Sequence, residues 1–136
     1  MNASVYSETY FGKGVSAARN YGIVFAQQVV QTDWITFLDA DDEIRPDAYE
    51  SYMKAIGDGS YNIYQMDHIR YYDKINKETV KYRGEPGEYT LGMDAPEGFC
   101  MVWNKIYRSD FLGETIRYKD GLQYGADELF NYSCLA

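Results

Sequence analysis

Hydrophobic and polar positions along the chain fall into two periods that predict alternating helices and strands. From Ser16 the pattern is helical: Ala18, Tyr21, Phe25 and Val29 lie at i, i+3, i+7 and i+11 and form one apolar stripe. Ser16 is the expected N-cap, and the helix should end near Gln31-Thr32. The apolar run Trp34 to Leu38 follows almost at once, as the strand of an αβ unit does. Pro46 fits the first turn of a second helix, in which Tyr49, Tyr52, Met53 and Ile56 repeat at helical spacing before a stop at Gly57. Tyr61 to Tyr72 reads as a long strand, Asp73 to Glu78 as a polar turn, and Thr79 to Arg83 as the return of an antiparallel hairpin. Turn residues at 85–87 and 94–98 mark a long connection. The apolar segment Phe99 to Tyr107 then leads into a short helix, Ser109 to Leu112, with Ser109 as its cap, and Ile116 to Tyr118 is expected as a short strand. Tyr124 to Phe130 runs into a final helix that has Asp127 and Glu128 in its first turn and Leu129, Tyr132 and Ser133 on one face.

The strand at Trp34 ends abruptly in acids: Asp39, Asp41 and Asp42 follow Phe37-Leu38 directly. Ligands of open α/β sheets bind at the carboxyl ends of strands, where loops and helix N-termini converge on a rigid support. If the extended backbone persists, Asp39 and Asp41 point to the same side, being two residues apart. Two convergent carboxylates suit magnesium or manganese, and such an ion commonly holds phosphates. The same acids would equally serve as caps of the following turn and helix.

Composition narrows the setting. With 136 residues and 46% hydrophobic content the chain is expected to be one globular domain. A net charge of −8 argues against a partner such as nucleic acid or an anionic membrane, which needs a cationic face. No apolar run approaches transmembrane length, and the N-terminus has neither a basic segment nor an apolar signal region, so a cytoplasmic location is expected. Cys100 and Cys134 lack CxxC spacing and are expected as reduced core thiols. The 15 tyrosines offer stacking area and hydroxyls together, which suits sugar or base recognition and equally suits half-exposed sheet and helix surfaces. His68, the one histidine, falls in the hairpin and reads as a surface strand residue.

Several stretches in order resemble the inverting family 2 glycosyltransferases. Gly14-Val15-Ser16-Ala17-Ala18-Arg19-Asn20-Tyr21-Gly22 resembles the family's GVSAARN-x-G helix, and Trp34 to Asp42 its DxD strand. Val102-Trp103-Asn104-Lys105 and Gly125-Ala126-Asp127-Glu128 resemble the late WNK segment and the Glu-Asp motif that opens the base-bearing helix. The resemblance implies a partial GT-A fold, an α/β, Rossmann-like three-layer arrangement whose mixed sheet includes the antiparallel hairpin. It implies a nucleotide-sugar donor, a saccharide or other hydroxyl acceptor, and a Mn2+ or Mg2+ cofactor held by Asp41 and Asp39. Asp39 would also lie by the donor's ribose and diphosphate, and Asp127 would be the general base. Arg19 is expected to reach phosphate or to pair with an acid at the sheet's end. Lys105 would neutralise diphosphate or lie along an apolar segment, and Trp103 would stack on a sugar or sit in the core.

The sequence also departs from the family. The two βα units that normally come first, including the acidic turn that holds the nucleotide base, have no counterpart, so residues 1–136 read as a single truncated domain. Ala126 stands where the Glu of the Glu-Asp pair is expected. The Trp34 strand would ordinarily be internal and parallel, and here one edge is expected to be bare. A second polypeptide, self-association, or folding back of Val5 to Phe11 would cover it. Beside the transferase reading stands a second one, a catalytically inactive GT-A-like binding or assembly module.

Overall fold

A computed structural model describes residues 14–66, 68–72, 77–82, 100–122 and 124–135. Helix α1, Val15–Phe25, continues into a π-helical turn, Ala26–Val30, that ends at Gln31 with a left-handed φ of 56°. Strand β1, Trp34–Thr36, is followed by α2, Ala48–Ile56, and then by β2, Ile63–Gln65. Next come β3, His68–Tyr72, and β4, Lys77–Tyr82, and after them β5, Lys105–Arg108. Helix α3, Ser109–Leu112, follows β5 without a break, and α4, Ala126–Ser133, is the last element.

The first sheet has the order β1-β5-β2, with β5 antiparallel to both neighbours. Ile35 faces Tyr107 across one ladder and Tyr64 faces Ile106 across the other. The mixed α/β architecture expected from the sequence is therefore present. However, β1 obtains an antiparallel neighbour from late in the chain, and β5 is its one strand neighbour among the described residues. The expected hairpin is also present, with β3 pairing β4 antiparallel and His68 opposite Tyr82. The single long strand expected over Tyr61 to Tyr72 is divided, because β2 joins the first sheet and β3 the hairpin. Val5 to Phe11 and the turns at 85–87 and 94–98 lie outside the described residues.

Helix α1 is rotated from the face that its apolar stripe predicts. Ala18 is exposed, Tyr21 is 39% exposed and Val29 is 61% exposed, whereas Ser16 and Ile23 are buried. Polar anchors decide the orientation. Asn20 Nδ2 donates to the Tyr118 carbonyl at 2.8 Å and its Oδ1 accepts from the Tyr118 N–H at 2.7 Å. Two turns on, Gln27 Nε2 donates to the carbonyls of Ser109 and Gly113 at 2.8 and 3.1 Å, while Arg117 Nη2 donates to Gln27 Oε1 at 3.0 Å. Because buried backbone groups need partners, these bonds outweigh the burial of Ala18, Tyr21 and Val29. Ser16 is not the N-cap: that position is Gly14, whose φ of 101° suits a residue without Cβ.

Other caps and faces shift in the same way. Ser109 is the first residue of α3 and makes no side-chain cap bond. In α2, Tyr52 and Ile56 are buried while Tyr49 and Met53 remain exposed, and Gly57 ends the helix at a φ of 52° as expected. Ile116 to Tyr118 forms no strand among the described residues, yet Tyr118 is buried. Cys134 is in the core but Cys100 is exposed, and both are free thiols. The main core gathers Ile23, Ile35, Val102, Tyr107, Leu112, Tyr118 and Phe130 between α1, the first sheet and α4. Among the described residues no helix is long and apolar enough to cross a membrane.

Candidate functional site

Four aromatic rings form the floor of the site. Phe37 meets Tyr107, Tyr118 and Phe130 edge to face, with centroids 5.8, 5.6 and 5.9 Å away. Tyr118 lies flat on Phe130 at 4.2 Å and 6°. Such pairs add stabilisation beyond the area they bury and fix ring orientation. Each of three site residues is tied to one of these rings. Asp39 comes two residues after Phe37, Asp127 comes three residues before Phe130 on the same face of α4, and the Arg19 guanidinium lies over Tyr118 with 5.2 Å from Cζ to the ring centroid.

Arg19 joins the two acids. Its Nη2 donates to Asp39 Oδ1 at 2.6 Å, and its Nη1 donates to Asp127 Oδ1. The Arg19 side chain is only 13% exposed, against 36% for the Asp39 side chain and 30% for Asp127. Charge-assisted bonds at partial burial hold more firmly than surface ion pairs, because solvent screens them less. Arg19 also lines a cleft of about 360 Å³ between α1 and β1, together with Gly22, Trp34 and Phe37.

Burial holds the Asp127 carboxyl above its ordinary range, while the Arg19 charge and hydrogen bond draw it down; Asp39 adds to the rise and Lys105 opposes it. Lys105 itself is wholly buried. Its Nζ donates to the Met101 carbonyl and, at 2.9 Å, to Asn104 Oδ1. Burial brings its ammonium down to about 7, against the acidic groups of Cys100, Asp127 and Cys134.

The acid run itself is a turn. Strand β1 stops at Thr36, and the Asp42 N–H bonds the Asp39 carbonyl at 3.1 Å, so strand alternation does not align Asp39 with Asp41. Asp41 and Asp42 are exposed. Desolvation and the negative charges of Asp39 and Asp41 raise the Asp42 carboxyl, a sign of crowded negative charge. Among the described residues, no group of three or more His, Cys, Asp or Glu side chains is placed to hold a metal ion. Trp103 is half-buried in the turn that leads to β5.

Of the residues singled out in the sequence, the fold brings Arg19, Asp39 and Asp127 into one contact, with Lys105 close enough for its charge to act on Asp127. It leaves Asp41 at the surface of the turn. Tyr118, which supports Arg19, and Asn20, which fixes Tyr118, were not visible as site residues. The only sequence signals were the position of Asn20 directly after Arg19 and an apolar segment at 116–118 that resembled a strand. Ala126 is buried at the first position of α4, so a Glu there would place a carboxylate against the core. A family model described as glycosyl transferase family 2 matches residues 6–116. No curated protein matches the chain, and no solved structure does.

Proposed function

Starting from the chain's membership of glycosyl transferase family 2, we propose that it transfers a sugar from a nucleotide-diphosphate sugar to a hydroxyl acceptor with inversion. The observation that supports this reading best is the Arg19 bridge, which brings the acid at the end of β1 to the acid that opens α4. Asp127 accepts the proton of the acceptor hydroxyl, and that oxygen forms its bond to the anomeric carbon as the bond to the diphosphate breaks on the opposite face. Partial burial of Asp127 suits it to this work, since desolvation increases a carboxylate's proton affinity. Asp39 lies toward the donor's ribose and diphosphate, Arg19 toward the diphosphate, and Trp103 offers a face to the sugar ring. Below about pH 7, Lys105 supplies positive charge from the buried side.

The carboxylates of Asp39 and Asp41 are hard ligands of the kind magnesium and manganese take, and their negative charges, after desolvation, help to raise the neighbouring Asp42 carboxyl. Among the described residues too few protein ligands converge to enclose an ion, so water and diphosphate oxygens would complete its coordination. When bound, the ion would stabilise the charge of the departing diphosphate. The outer edge of β1 is the place where a second polypeptide or a second copy of the chain would add a nucleotide-binding half to this single domain.

Transfer measured with a panel of sugar nucleotides tests the reading. Asp127→Asn should lose about 10²–10⁴-fold in rate while retaining the donor. Undiminished turnover in that variant would refute Asp127 as the base. A binding module that has lost catalysis is the second reading, favoured by the buried Ala126 and by the engagement of Asp127 with Arg19. Donor binding without transfer in the unmodified protein would establish it.

A further inference from the structure

The guanidinium of Arg19 divides its donors between acids on two different elements, Asp39 after β1 and Asp127 in α4. In that arrangement one oxygen of Asp127 is engaged by a cation, which reduces its affinity for a proton and occupies a lone pair that a base would use. The bridge therefore opposes the work assigned to Asp127. Arg19 is equally a group that grips phosphates with a planar fork of donors. It has a seat that depends on neither acid, the Tyr118 ring 5.2 Å from Cζ. The base of the side chain is fixed as well, because Asn20 is bonded to both backbone groups of Tyr118 at 2.7 and 2.8 Å. The guanidinium can turn on the ring while α1 stays in place.

We propose that Arg19 exchanges Asp127 for the donor's diphosphate, so that binding of the donor frees the base; this rests on the transferase reading above. An arriving diphosphate competes for Arg19 with a single carboxylate and presents more negative charge than Asp127 does. Among the described residues, the groups that face Asp127 are Arg19 from α1, Asp39 from the loop after β1, Lys105 from β5 and Tyr118 from the segment before α4. Once Arg19 turns away, Asp127 is open on one side, and below about pH 7 the Lys105 ammonium still opposes its protonation. The donor must then bind before the acceptor can react, and the base is held inactive while the donor site is empty.

Nuclear magnetic resonance on the full chain, labelled with 13C in aspartate and 15N in arginine, tests the exchange with magnesium pyrophosphate as the probe. Pyrophosphate presents the two linked phosphates of every sugar nucleotide without its nucleoside, and with more negative charge. Signals are assigned with Asp127→Asn and Arg19→Lys. On binding, the Arg19 Nη signals should shift, and the Asp127 carboxyl should gain proton affinity about tenfold, one unit in its midpoint. Arg19→Lys, whose single ammonium cannot span both acids, should show the increase already in the free protein and respond to pyrophosphate by less than half as much. Calorimetric binding of pyrophosphate with unchanged Arg19 and Asp127 signals would overturn the exchange and leave the donor site standing. An equal response in Arg19→Lys would also overturn it, by assigning the effect to the anion's own charge. Absence of pyrophosphate binding would overturn the exchange and the donor-site reading together.

Discussion

Lys105 illustrates how far one side chain's role can depart from its place in a motif. In the sequence it is a cation within a resemblance to a sugar-nucleotide site. In the fold it is wholly buried and donates to the Met101 carbonyl and to Asn104 Oδ1. Its ammonium is brought from an ordinary 10.5 to about 7, chiefly by burial. The unfolded chain therefore binds a proton that the folded chain does not across that interval. Stability gains with rising pH through the window and is lost as pH falls through it. Urea unfolding of the unmodified protein should show stability rising between about pH 7 and pH 9. Lys105→Met should flatten the rise, and parallel profiles for the two proteins would mean that hydrogen bonding keeps the buried ammonium charged.

At the scale of elements, helices and strands were legible but the faces they bury were less so. The stripe of Ala18, Tyr21, Phe25 and Val29 has the right period for α1, yet the helix turns its polar residues Ser16, Arg19, Asn20 and Gln27 inward to named partners or into the core. Periodicity records hydrophobicity, and it is silent about a buried polar side chain that finds a carbonyl 80 or more residues away. Helix α4 shows the same effect. Leu129 and Tyr132 are exposed, while Asn131 is fully buried. It accepts from the Tyr107 hydroxyl at 2.6 Å and donates to the Met101 carbonyl at 3.2 Å. Asn131→Ala should cost about 1–3 kcal/mol in chemical denaturation, because it leaves the buried Tyr107 hydroxyl without its acceptor and removes one of the two donors to the Met101 carbonyl. A loss below about 0.5 kcal/mol would show that the site adapts without them, as a surface substitution does.

For the molecule as a whole, the acid turn and the strand order matter most. Residues from the end of the chain enter between strands from its beginning, so β5 separates β1 from β2. Local sequence cannot specify such an order, since every strand's alternation is compatible with several neighbours. The crowded charge of Asp39, Asp41 and Asp42 gives a prediction at the same scale. Manganese or magnesium should raise the unfolding temperature, with stabilisation growing as the logarithm of ion concentration, about 2.7 kcal/mol at a hundredfold excess over Kd. Asp41→Asn should remove most of that gain. An equal gain in the variant would assign the effect to general screening of the negative charge rather than to a site.

By itself the sequence determined the local chemistry: an apolar run ending in acids, a helix that opens on Asp127, and motifs that share their order with one family of transferases. Those features depend on neighbours a few residues apart, which a linear pattern records. Only the tertiary structure decided that Arg19, Asp39 and Asp127 meet, across sequence separations of 20 and 108 residues. The physical reason is the packing of Phe37, Tyr107, Tyr118 and Phe130, which aligns three separate segments on one aromatic floor and sets the guanidinium between the two carboxylates.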